Sequence, residues 1–120
     1  MSRIWARRAA AVTLAAALTA TTAVAHHGWS AYDEKKPLTV DGVIKSSQYT
    51  NPHGTMKFEA DGKVWDVVLA PVSRMQTRGL TEQMLAAGTR ARVVGYQHKE
   101  IATEMRAENV TVDGKKVELR

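Results

Sequence analysis

The sequence predicts a small all-β domain with a short helical insert, an OB-like barrel of five to six strands, on three observations. Asp61-Gly62 and Asp113-Gly114 each lie between short segments of alternating hydrophobicity, the signal of a two-residue hairpin. A long alternating segment interrupted by Gly42 precedes the first hairpin. A helix-compatible segment between Pro71 and Gly88 separates the third strand from the fourth, where an OB barrel carries its helix. A rolled antiparallel sheet or a small β-sandwich is the alternative arrangement of the same elements.

Residues 1–25 read as a cleavable secretory signal. Arg3, Arg7 and Arg8 give a basic start, and an uncharged stretch of 17 residues follows, with Val12, Leu14 and Leu18 as its most hydrophobic members. It closes on Ala23-Val24-Ala25, the small-x-small pattern of signal peptidase. A spanning helix needs about 17–25 strongly apolar residues, whereas Ala and Thr dominate here, so cleavage rather than a lasting membrane anchor is expected. Ala9-Ala10-Ala11 is a poor continuation of a twin-arginine signal, which favours the general export route. Residues 26–37 then form an extended or mobile arm carrying His26, His27, Trp29 and Tyr32, and residues 38–120 form the barrel domain.

Within that domain residues 38–49 read as a long strand, with Leu38, Val40, Val43 and Ile44 as its apolar members. Its alternation changes face around Gly42, which predicts a bulge or sharp bend there. Asn51-Pro52-His53-Gly54 is a loop by composition. The turn at Asp61-Gly62 sets a register in which Phe58 faces Trp65, Met56 faces Val67 and Lys57 lies opposite Asp66. Residues 73–78 form a helical turn stopped by Gly79, and Thr81 caps a second short helix over 82–87, stopped by Gly88. Strands return over 89–98, 104–112 and 115–119, the last pair placing Val110 opposite Val117.

Composition excludes several functions. The net charge of +5 owes three arginines to the leader; beyond it, 14 basic residues are interspersed with 12 acidic ones. With no clustered basic face, nucleic acid is not an expected partner. The absence of cysteine excludes both a disulfide and a lipid attached through a cysteine. Ser30 and Ser73 lack a nucleophile-elbow context, there is no glycine-rich phosphate loop, and no paired carboxylates suggest acid–base work, so no enzyme is expected.

The histidines are what remains. Cleavage after Ala25 gives His26 a free α-amino group with a pKa near ~7.7, so that amine and imidazole can chelate one ion. Cleavage after Ala23 instead makes His26 the third residue, where amine, backbone amides and imidazole form a square-planar site. Both geometries favour Cu(II), with Ni(II) and zinc behind it. His27, His53 and His98 complete the candidate metal set, the last two from loops that flank the binding face of an OB barrel. Against this stand the ordinary roles of solvated or turn-holding histidines, since the four have no diagnostic spacing. Met56, Met75, Met84 and Met105 read as core rather than thioether ligands. Trp29 and Tyr32 read as anchors of the arm, and Arg74 and Arg78 as a solvated helix face or, less simply, an anion pair.

The run Ala25-His26-His27-Gly28-Trp29-Ser30, followed by Leu38-Thr39-Val40-Asp41-Gly42-Val43 and Asn51-Pro52-His53-Gly54, resembles an uncharacterised family of small exported Gram-negative proteins. The likeness continues through Val64-Trp65-Asp66-Val67, Arg78-Gly79-Leu80-Thr81, Leu85-Ala86-Ala87-Gly88-Thr89 and Val93-Val94-Gly95-Tyr96. It implies a periplasmic location and marks the His-His start and the Asn-Pro-His loop as hallmarks, while carrying no activity. Where family members often have a glycine-bearing turn between the fourth and fifth strands, this chain has Lys99-Glu100-Ile101-Ala102. Two functions follow as expectations: a periplasmic copper-binding or delivery module using His26, His27 and His53, or a domain binding a periplasmic protein or peptide with the histidines incidental.

Overall fold

The computed structural model describes residues 28–120; the leader, His26 and His27 lie outside them. Six strands, β1 Tyr32–Gln48, β2 Thr55–Ala60, β3 Lys63–Val68, β4 Arg90–His98, β5 Glu104–Val112 and β6 Lys115–Glu118, surround one helix, α1 Val72–Arg78. They pair in the order β3-β2-β1-β4-β5-β6, and a further pairing of β3 with β5 closes a ring of five strands. That closing contact is parallel and short, Asp66 to Val68 against Glu104 to Arg106, and the other pairings are antiparallel. The helix falls between β3 and β4, as expected of an OB-like ring.

Both hairpins have the registers that their turns dictate. Phe58 opposes Trp65, Met56 opposes Val67 and Lys57 opposes Asp66; Val110 opposes Val117. Asp61 and Gly62 have φ of 51° and 75°, and Asp113 and Gly114 have φ of 49° and 74°, the positive values that an Asp-Gly hairpin supplies. The apolar faces of both hairpins are buried and Lys57 and Asp66 form an exposed ion pair.

The first strand differs from expectation in three ways. It begins at Tyr32 instead of residue 38, because residues 33–36 do not leave the sheet. Tyr32 pairs with His98 and Pro37 with Tyr96, so these four polar residues form an irregularity within the strand opposite Gln97. A bulge or sharp bend is expected around Gly42; the register shift against β2 lies two residues beyond it, between Ile44 and Ser46. Gly42 marks the point at which β1 passes from β4 to β2: its neighbour Val43 pairs with Arg90 on one side and Glu59 on the other. A Cβ at Gly42 would lie 2.2 Å from the Glu59 carbonyl oxygen, so close approach of two backbones is what requires glycine here.

The helical insert is also shorter than expected. α1 ends at Gly79, which takes a left-handed φ of 87°. Thr81 Oγ1 accepts a hydrogen bond from the Met84 amide at 3.3 Å, but only a 3-10 turn, Gln83–Leu85, follows. The chain is drawn onto β1 before a second turn can form. Ser47 Oγ donates to the Leu85 carbonyl at 2.9 Å, and the Gly88 amide donates to Ile44 O at 2.7 Å. The side chains of the insert, Met75, Leu80 and Leu85, close one end of a core that contains Ile44, Met56, Phe58, Leu69, Val93 and Met105. Met84 packs against it partly buried, so all four methionines serve the core as expected.

Candidate functional site

β5 positions the site. Its inward residues Met105 and Ala107 are fully buried in the core, so alternation turns Glu104, Arg106 and Glu108 to the outer face. An outer face normally meets solvent, but here the segment just before and at the start of β1 lies across it. Trp29, in the 3-10 turn Trp29–Ala31, has the Arg106 guanidinium 4.4 Å from its ring centroid and that of Arg120 at 4.3 Å. Its edge also meets Tyr96 at a centroid separation of 5.9 Å. Three residues on, the buried Tyr32 donates its hydroxyl to Glu104 Oε2 at 2.8 Å. Burial and this hydrogen bond, with the Glu104 charge, raise the Tyr32 phenol well above its ordinary value, so it stays protonated. The anchoring roles expected of Trp29 and Tyr32 are therefore present. The described part of the arm packs on the barrel.

His98 ends β4 in the same neighbourhood. Its ring meets Tyr32 edge-on at 5.2 Å, and its Nδ1 accepts the amides of Glu100 and Ile101, each at 3.0 Å. Its Nε2 lies 3.9 Å from Glu104 Oε2. These bonds define the turn through Lys99-Glu100-Ile101-Ala102 without a glycine, and Lys63 Nζ and Gln97 Nε2 both donate to Ala102 O to hold it. One ring nitrogen of His98 is thus committed to the backbone.

His53 lies half-buried in the loop after β1. The loop is pinned by the Gly54 amide to Ala70 O and the Leu69 amide to Gly54 O, both at 2.8 Å. Desolvation holds the His53 imidazole below its ordinary value near 6.5, and the charges of Arg106 and Arg74 push it in the same direction. His53 and His98 therefore have different partners: His53 feels the two arginines, and His98 is tied to Tyr32 and Glu104. Among the described residues no three His, Asp or Glu side chains gather as a metal cage.

The depressed His53 value has a testable consequence. A base that is harder to protonate when folded than when unfolded contributes stability that is complete above the unfolded value and declines as pH falls toward the folded one. The urea midpoint should fall between pH 7 and pH 5, and His53→Gln should flatten that decline. Identical pH slopes for the two proteins would contradict the assignment.

Arg74 and Arg78 neither form an anion pair nor stay merely solvated. Arg74 Nη1 donates to Leu119 O at 3.1 Å, and Arg78 Nη1 donates to Glu118 O and Arg120 O at 2.9 and 2.7 Å, which fastens α1 to the end of β6 and the two residues after it. Sequence reasoning missed Glu104, Arg106, Glu108 and Arg120. The alternation Glu104-Met105-Arg106-Ala107 reads as an ordinary half-exposed strand, and nothing local signals that a tryptophan will cover its polar side.

A family model, DUF6152, a family of unknown function, matches residues 14–106. The chain belongs to this family. The matched residues take in the anchoring segment, the Asn-Pro-His loop, His98 and Arg106. No curated protein matches the chain.

Proposed function

We propose that this DUF6152 protein is a small periplasmic binding module for a transition metal, copper before nickel or zinc, held by the amino-terminal nitrogens of His26 and His27 together with His53. The observation that supports the reading is that Arg106 serves both parts: its guanidinium lies 4.4 Å from the Trp29 ring centroid and its charge acts on His53. His26 is three residues from Trp29, so an extended chain carries it no more than ~11 Å from that anchor. This reading needs that reach to extend to His53 in the Asn-Pro-His loop. Desolvation and the arginines keep His53 in the neutral form that binds metal. Those same charges oppose a cation, so chelation by the terminal amine and imidazole must supply most of the affinity. His98 is left out of this ligand set because its Nδ1 is already engaged.

The exported protein, its cleavage site established by intact mass, should bind one equivalent of Cu(II). Affinity should fall below about pH 6 as the amino-terminal nitrogens protonate. His53 should remain a competent ligand further into that range than an ordinary histidine. Lack of stoichiometric binding, or equal binding by a His26→Ala/His53→Ala variant, would overturn the reading.

The second reading, a protein- or peptide-binding domain, is favoured by a separate groove of about 310 Å³ lined by residues including Ser46, Gln48, Thr55, Lys57, Asp66 and Glu104. It gains if copper fails to bind and a periplasmic partner is displaced by changes at Lys57 and Asp66 but not at the histidines.

A further inference from the structure

Arg106 is only 8% exposed, and its Nε is buried with no hydrogen-bond partner. The other guanidiniums around it have oxygen partners: Arg74 has Leu119 O, and Arg120 has Glu34 at 2.6 Å. Of the carboxylates on its own strand, Glu104 accepts from Tyr32, and Glu108 lies 3.6 Å from Arg120 with its Oε2 likewise buried and without a hydrogen-bond partner; neither hydrogen-bonds Arg106. The charged groups acting on Arg106 are the cations Arg74 and Arg120, and the phenol of Tyr32 stays protonated. The Trp29 ring centroid lies 4.4 Å from the guanidinium carbon and offsets part of the charge, but an aromatic ring is a weaker partner for a cation than an anion with oxygen acceptors. A buried cation with an unpartnered Nε–H, like-charged neighbours and no hydrogen-bonded carboxylate is an unfavourable arrangement unless something completes it.

We propose that Arg106 is the floor of a small oxyanion site on the outer face of β5, taking a carboxylate or phosphate group, with Trp29 as one wall and Arg74 and His53 beside it. The Nε and neighbouring Nη of an arginine form two parallel donors matched to the paired oxygens of such a group. The bound anion satisfies the orphaned Nε–H and neutralises charge shared by Arg106 and Arg74. The inference stands apart from the metal reading, since it requires neither His26 nor an ion.

The test uses the exported protein freed of metal with a chelator, then dialysed, so that its outcome is independent of copper. Acetate and inorganic phosphate are titrated separately at constant ionic strength against chloride, following the Arg106 Nε–H and Trp29 indole N–H signals by NMR. At least one anion should give saturable shifts of both signals, and which one saturates identifies the carboxylate or phosphate class. Arg106→Gln should weaken that binding at least about tenfold, as the loss of a charged hydrogen bond predicts, while Arg92→Gln, which breaks only the exposed pair with Asp41, should leave it unchanged. Shifts that fail to saturate, or that chloride reproduces, would show that water alone completes Nε and would overturn the proposal. If Arg106→Gln does not fold, Arg74→Gln decides: unchanged affinity for the saturating anion overturns the site.

Discussion

Phe58→Ala should cost about 3–5 kcal/mol, a large share of the stability of so small a domain. Phe58 is fully buried at the middle of β2, between its partners Trp65 on β3 and Ile44 on β1. It therefore stands where two pairings of the ring share one side chain. Removing the ring leaves a cavity bounded by strands that hydrogen bonds hold in place, so collapse into it is limited. A domain of this size has roughly 5–15 kcal/mol in total, and the chain has no cysteine with which to add a disulfide. Urea unfolding followed by circular dichroism measures the shift. Phe58→Leu, which keeps most of the volume, should cost less than about 1.5 kcal/mol. A loss under about 1 kcal/mol for the alanine variant would mean that the core is not organised around this side chain.

The second large effect is expected at Gly42. An alanine there places its Cβ 2.2 Å from Glu59 O and 3.0 Å from the Ala60 Cβ. Neither is the free end of a flexible side chain, so relief requires β1 and β2 to separate where β1 changes partner. We expect a cost of about 3 kcal/mol or more, at the upper end for overpacking. Gly114→Ala is the comparison: its φ is 74° but a Cβ there meets nothing within 4 Å, so only the left-handed backbone penalty of about 1–2 kcal/mol applies. If the two variants lose the same stability, conformational freedom rather than close approach explains Gly42. Gly95, whose Cβ would lie 2.2 Å from Arg106 O, belongs with Gly42.

The contrast between these glycines shows what local pattern conveys. Gly62 and Gly114 follow aspartates between alternating segments, and the turn type alone accounts for them. Gly42 was legible only as an irregularity in the alternation of its strand. The reason for it, Glu59 approaching from β2, lies 17 residues away along the chain, and the bulge itself lies at Ile44/Ser46. The second helix predicted after Thr81 fails for a similar reason: its cap is present, but contacts with Ser47 and Ile44 outweigh one further turn.

The candidate site divides in the same way. His53 was legible because a histidine beside Asn51-Pro52 in a loop is conspicuous, and Trp29 and Tyr32 because aromatics in a polar segment suggest anchors. Arg106 was not. Its burial depends on Trp29, 77 residues earlier, lying across β5.

What the sequence by itself determined was therefore local: two hairpins in the right register, a helical insert between the third and fourth strands, and a domain with no cysteine to staple it. Asp-Gly turns and period-two alternation act within a few residues, so they can be read there. Only the tertiary structure decided that β3 closes on β5 and that the polar side of β5 is roofed by the start of the described chain. Alternation reports which side of a strand avoids water, but a covered polar side has the same pattern as a solvated one. The difference is made by a distant side chain, and it is that cover which leaves a guanidinium buried with its Nε unpartnered.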